Sequence, residues 1–176
     1  MSFRDRLGIH TITLKNWSLA ETCAGLSGAG VPAITLWRDA VDAVGNDTAR
    51  KLVDDAGLRI TSLCRGGFFP SADSAGRQAA IDENKAVIDQ AAAVGAPAVV
   101  LVCGAVPGQS LQESRKQIVD GIAAVLPHAD ACGVNLSIEP LHPIYAADRS
   151  AVNTMGQARR MCEQLNGSGE TRVGIA

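Results

Sequence analysis

Four times in this chain an apolar helical stretch ends in a small residue plus glycine and passes straight into a β-branched run. The junctions are Ala29-Gly30 before VPAITLW, Ala56-Gly57 before LRITSLC, Val94-Gly95 before APAVVLVC and Cys132-Gly133 before VNLSIE. A glycine in the left-handed conformation closes a helix C-terminus, and each following run has the length and residue types of a buried strand. A looser fifth junction, NGSGETRVGIA, ends the sequence. Strands are expected to begin near Val31, Leu58, Ala96, Val134 and Arg172, and three of the four intervals are 38 residues long. That spacing suits a strand, a loop and a helix.

The intervening stretches carry helical periodicity, as in Leu19, Cys23 and Leu26, then Val41, Val44, Thr48 and Leu52. Ala80, Asn84, Val87, Ala91 and Val94 share one face, apolar except for the asparagine. Leu111, Ile118, Ile122 and Leu126 share another, and Met155, Ala158, Cys162 and Leu165 a third. Ser18, Asp47, Ser74, Ser110 and Asn153 stand as N-cap candidates. With the first apolar run, Leu7 to Leu14, the expectation is six strands alternating with five helices.

Strict alternation implies parallel strands joined by right-handed helical crossovers. Two architectures compete, an open doubly wound parallel sheet and a (β/α)8 barrel of about 250 residues. The length of 176 residues favours the open sheet. The loops favour the barrel, since no G-x-G-x-x-G or G-x-x-x-x-G-K-[ST] phosphate loop follows any strand. Gly104-Ala105-Val106-Pro107-Gly108-Gln109-Ser110 is the nearest approach and reads as a turn.

Composition narrows the class. Apolar residues make up 47% of the chain and charged residues 19%, a globular balance, and aromatics are only 3%, so the core is aliphatic. A net charge of −2 gives no broad footprint for a nucleic acid or an anionic membrane. The N-terminus does not read as a signal peptide, and the longest apolar candidate for a span, Ala96 to Val106, stops at Pro107. Cys23, Cys64, Cys103, Cys132 and Cys162 form an odd set with no C-x-x-C pair and read as buried filler. A soluble, cytoplasmic protein is expected.

In both architectures chemistry belongs at the carboxyl ends of the strands. The first strand offers His10 and Thr11 there, and the second Trp37, Arg38 and Asp39. Arg65-Gly66-Gly67-Phe68-Phe69 follows the third, and Cys103-Gly104 the fourth. The fifth ends in Glu139-Pro140-Leu141-His142-Pro143, followed by Tyr145, Asp148 and Arg149. Glu139 is the sharpest candidate, because a carboxylate ending an apolar strand needs a cation, a hydrogen-bond partner or a raised pKa. A divalent metal (Mn, Mg, Co or Zn) would satisfy it, with His142 near the site or the substrate. An ion pair to Arg65 or Arg149 would do the same without function. Gly66 and Gly67 would let the backbone beside Arg65 approach a ligand. His10 reads either as a contact or as a packed strand residue, Trp37 as stacking on a sugar or packing, and His128 as a solvated helix residue.

Leu136-Ser137-Ile138-Glu139-Pro140-Leu141-His142-Pro143 and the following Tyr145 to Arg149 resemble the fifth-strand motif of sugar phosphate isomerases and epimerases of the xylose-isomerase-like TIM-barrel superfamily. The LGIHTITL opening and the Cys64 to Phe69 turn extend the resemblance along the chain. It implies a TIM barrel and a divalent metal held by acidic and histidine ligands, of which the fifth-strand glutamate carries over to Glu139 as metal ligand and catalytic residue. It also implies proton abstraction next to a carbonyl on a small sugar or sugar phosphate. By their strand-end positions, His10, Arg65, His142 and Arg149 are the expected substrate contacts. The other ligands implied, from strands six to eight, would lie beyond Ala176. The chain is therefore expected to be the first five and a half units of a single barrel domain and inactive by itself, with metal retention left open and self-association through sheet edges expected. A dehydratase acting on a polyol or keto acid, an abasic-site endonuclease of the same superfamily and a non-enzymatic ligand-binding module are the alternatives. No basic run favours the nuclease.

Overall fold

The computed structural model describes residues 3–146, 148–167 and 172–176. Its elements, in chain order, are β1 (Gly8–His10), α1 (Leu19–Gly28), β2 (Ala33–Trp37), α2 (Arg38–Asp42), α3 (Asn46–Asp55), β3 (Arg59–Gly67), α4 (Ser74–Val94), β4 (Ala98–Val102), α5 (Leu111–Ala131), β5 (Asn135–Ile138), α6 (Met155–Asn166) and β6 (Val173–Ile175). The strand order in the sheet is β1-β2-β3-β4-β5-β6, and the sheet is open. A doubly wound sheet reverses its strand order at a switch point. Here each crossover adds the next strand on the same side, as in a barrel, so the doubly wound alternative is overturned.

The four glycine junctions form as the sequence predicts. Gly30, Gly57, Gly95 and Gly133 have φ between 67° and 78°. The residue after each glycine donates its N–H back into the last helical turn, Val31 to Leu26, Leu58 to Val53, Ala96 to Ala91 and Val134 to Ala129. The chain leaves each helix in the same way and enters a strand one or two residues later than expected. Residues 168–171 of the fifth junction lie outside the described residues.

Two compact units are distinguishable, Met1–Cys64 with Gln90–Ala98, and Arg65–Asp89 with Val99–Ala176. In the first, β1, β2 and β3 pair in parallel, and Leu19, Leu26, Ile34, Leu36, Val41, Val53 and Leu63 are buried. β1 is short because the backbone turns into a 3-10 helix at Thr11, whose Oγ1 accepts the Trp37 N–H at 2.9 Å. The single helix expected between β2 and β3 is two, since Gly45 at φ 82° breaks it and caps α3.

In the second unit the end of β3 lies on β4, with Phe68 and Phe69 donating to the carbonyls of Val102 and Cys103 at 2.8 and 3.1 Å. Glu139 donates its N–H to Leu101, and β5 pairs in parallel with β6. Phe69, Ile88, Leu101, Ile118, Ile122, Leu136 and Ile138 are buried. Buried strands with continuous apolar runs are what parallel pairing produces.

The N-cap expectations divide. Ser18 caps α1 in a full capping box with Glu21, and Ser110 caps α5. Asp47 falls inside α3. Asp73 rather than Ser74 takes the exposed N–H of Gly76, at 2.7 Å. Thr154 rather than Asn153 caps α6, its hydroxyl accepting the Gln157 N–H at 3.2 Å, while the Asn153 amide donates to the carbonyls of Leu141 and Ser150. Among the described residues no helix is long and apolar enough to cross a membrane.

Candidate functional site

In the second unit, Arg65 lies inside β3 near its carboxyl end, Glu139 comes at the carboxyl end of β5, and His142 and Arg149 stand in the loop beyond it. Glu139 directly succeeds the buried Ile138 and is itself half-buried. Among the described residues its carboxylate makes no hydrogen bond or ion pair, so neither arginine satisfies it. The neighbouring Cys103 thiol is fully buried and pushed up to about 12, by burial first and then by the charges of Glu139 and Cys162. It is a neutral hydrophobe that donates weakly to the Leu101 carbonyl. Cys103 therefore behaves as filler.

The two arginines rest on aromatic rings instead. The Arg65 guanidinium lies 4.6 Å from the centroid of Phe68, and that of Arg149 lies 5.3 Å from Tyr145. Phe68 and Tyr145 are each about 40% exposed, so the ring supports are at the surface. Backbone bonds fix Arg149 further. Gly104 donates to the Arg149 carbonyl at 3.0 Å and accepts from Ala151 at 2.9 Å, so the loop after β5 returns to the end of β4.

Gly66 and Gly67 serve a different purpose from the one expected. A Cβ on Gly66 would meet the Asn84 side chain, and one on Gly67 would strike the Val102 carbonyl. The space is taken by the protein itself rather than by a ligand. Asn84, 2% exposed, accepts the Gly67 N–H at 2.7 Å and donates to the carbonyls of Gly67 and Ala80 at 2.7 and 2.8 Å. Asn84 is the positioning residue that sequence reasoning passed over, although a single amide on an apolar helical face was the visible signal.

His142 is exposed, and its Nδ1 accepts the Ile144 N–H at 3.2 Å, capping the 3-10 turn Pro143–Tyr145. Turn chemistry occupies that nitrogen and leaves Nε2. In the first unit, His10 ends β1 with an exposed ring, so it is not a packed core residue, and its Nδ1 accepts the Trp37 indole N–H at 3.4 Å. Trp37 also lines a cavity of about 490 Å³ with Thr11, Lys15, Trp17 and Asp39. Arg38 opens α2 and bonds Gln90 at 2.9 Å.

His128 is not the freely solvated residue expected of it. It bonds Asp89 at 2.7 Å and lies next to Cys132, a thiol less buried than the other four cysteines.

The chain belongs to the xylose isomerase-like TIM barrel family, whose pattern matches residues 24–176. It is 48% identical to protein SMc04130 from Sinorhizobium meliloti 1021, with a TM-score of 0.90 over 97% of this chain and 62% of that one. A D-psicose 3-epimerase determined in the presence of D-fructose shares the fold at 17% identity and a TM-score of 0.77, over 96% of this chain and 61% of that one. An IolI protein with a zinc atom shares it at 22% identity and a TM-score of 0.76, over 96% and 60% respectively. The chain thus spans less than two thirds of the length of each of these structures. No curated protein matches it.

Proposed function

We propose that these residues form part of a metal-dependent isomerase or epimerase that removes a proton next to the carbonyl of a small sugar or sugar phosphate. The observation that carries this reading is the Glu139 carboxylate, half-buried at the end of an apolar strand and without a partner among the described residues. A carboxylate left in that position is held for a cation. The donor chemistry fits a hard or borderline divalent ion, with Glu139 as one ligand. A divalent ion bound there would polarise the substrate carbonyl and offset the negative charge that develops as the proton leaves.

The remaining residues bind and orient. Arg65 and Arg149 offer guanidinium donors to hydroxyl or phosphate oxygens, and the rings of Phe68 and Tyr145 beneath them reduce the freedom lost on binding. The Nε2 of His142 is available to a substrate oxygen, because Nδ1 is engaged by the turn. Within the first unit by itself, His10 and Trp37 offer a polar atom and a flat apolar face of the kind that takes a sugar ring. The D-fructose named with the structurally similar epimerase makes that ketose a rational first probe.

The test is proton exchange in the intact protein. With Mn²⁺ and D-fructose in D₂O, deuterium should enter the carbon next to the carbonyl, and Glu139→Gln should slow entry by at least about a hundredfold, of the order expected when a transition-state contact is lost. Exchange that is unaffected by Glu139→Gln would remove Glu139 from the mechanism.

A further inference from the structure

At the other end of β5 from Glu139, three potential metal ligands converge. Asp89 comes from α4, while His128 in the last turn of α5 and Cys132 at its C-cap are four residues apart and so share a helix face. The His128 Nε2 lies 2.7 Å from Asp89 Oδ1 and 3.9 Å from Cys132 Sγ, and that sulfur lies 3.7 Å from the same carboxylate oxygen. One oxygen, one nitrogen and one sulfur thus form a closed triangle within 4.8 Å of one another.

We propose that Asp89, His128 and Cys132 form a zinc site, separate from the Glu139 end and independent of the function proposed there. Tetrahedral zinc, with bonds of about 2.3 Å to sulfur and 2.0–2.1 Å to nitrogen or oxygen, holds its donors roughly 3.3–3.6 Å apart. The two edges that include sulfur are already near that spacing. The third needs Asp89 and His128 to separate by about 0.6 Å, exchanging their mutual hydrogen bond for metal bonds. Thiolate, imidazole and carboxylate together select a borderline cation such as zinc over magnesium or calcium. Three protein ligands leave the fourth position to water, and the Asp89 side chain is 61% exposed, which gives an entry path.

The arrangement does not suit nucleophilic catalysis. In a triad, the carboxylate holds one imidazole nitrogen and the thiol meets the other. Here both face Nε2. Burial and the Asp89 charge also raise the free Cys132 thiol, so a thiolate forms when a metal displaces the proton to solvent.

Co²⁺ is the spectroscopic probe. The folded protein should develop a thiolate-to-cobalt charge-transfer band, which reports this site alone and which zinc abolishes by displacement. Cys132→Ser should remove the band, and His128→Ala and Asp89→Asn should each weaken binding at least tenfold, with circular dichroism confirming the fold. Glu139→Gln should leave the band intact. The proposal is overturned if the folded protein shows no such band, if the band survives Cys132→Ser, or if Asp89→Asn, at an exposed position with little structural risk, binds cobalt as tightly as the parent.

Discussion

Asn84 is a buried polar side chain of the second unit on which a turn depends. Its amide satisfies both the N–H and the carbonyl of Gly67 in a buried setting, at the point where the chain turns from Arg65 to Phe68. Replacing it with leucine leaves two buried backbone groups unpaired, each costing about 1–3 kcal/mol. We expect Asn84→Leu to lower stability by about 2–6 kcal/mol in urea titrations, on the same principle. Because Arg65 is set by that turn, any substrate affinity that depends on Arg65 should fall with it. A loss below 1 kcal/mol would mean that the turn holds itself. Why this residue was harder to read than Glu139 is a matter of physics. A carboxylate at a strand end is anomalous within its own segment, whereas the value of Asn84 comes from a backbone 17 residues away. The same applies to Asp89. The i, i+4 pair His128 and Cys132 is visible in sequence, but the third member arrives through the packing of a second helix.

At the scale of elements, local chemistry governs. The four helix ends at Gly30, Gly57, Gly95 and Gly133 were legible because a Schellman closure is encoded within six residues. The start of α1 is equally local. The Ser18 side chain accepts the Glu21 N–H at 3.2 Å, and the Glu21 carboxylate accepts from both the Ser18 N–H and hydroxyl at 2.8 Å. Those bonds to the Ser18 backbone and side chain hold the Glu21 carboxyl below its usual value of 4.5. A depressed carboxylate contributes stability above its unfolded pKa, and that contribution disappears as pH falls through the lower folded value. Losing the N-cap hydroxyl in Ser18→Ala should cost about 1 kcal/mol at neutral pH, and with the bonds to Glu21 weakened the acid dependence below pH 4.5 should shrink. An unchanged acid limb, followed by thermal melts from pH 6 to pH 2, would show that the box contributes nothing. Where the reading failed at this scale, a neighbouring group had intervened. Thr11 captured the Trp37 N–H and ended β1, Gly45 split one helix into two, and the Thr154 hydroxyl accepted the Gln157 N–H at the start of α6, where Asn153 was the expected cap.

For the molecule as a whole, sequential strand order and family membership agree on a barrel-type winding. Each strand is followed in the sheet by the next in sequence, and from β3 onward the strand starts are 37–39 residues apart, which is why fold class was readable from junction spacing. The site was only partly readable. Its strand-end positions were predictable, but the absence of an ion pair at Glu139 and the stacking of both arginines on rings depend on side-chain placement. The account therefore turns on whether Glu139 binds a cation. Manganese suits the test, because it prefers carboxylate oxygen and is poorly matched to the thiolate of the Asp89, His128 and Cys132 group. Electron paramagnetic resonance titration of the intact protein with Mn²⁺ measures occupancy directly. The account predicts one bound ion whose affinity falls at least tenfold in Glu139→Gln and is unchanged in Cys132→Ser, whereas equal Mn²⁺ affinity in Glu139→Gln and the parent protein would contradict it.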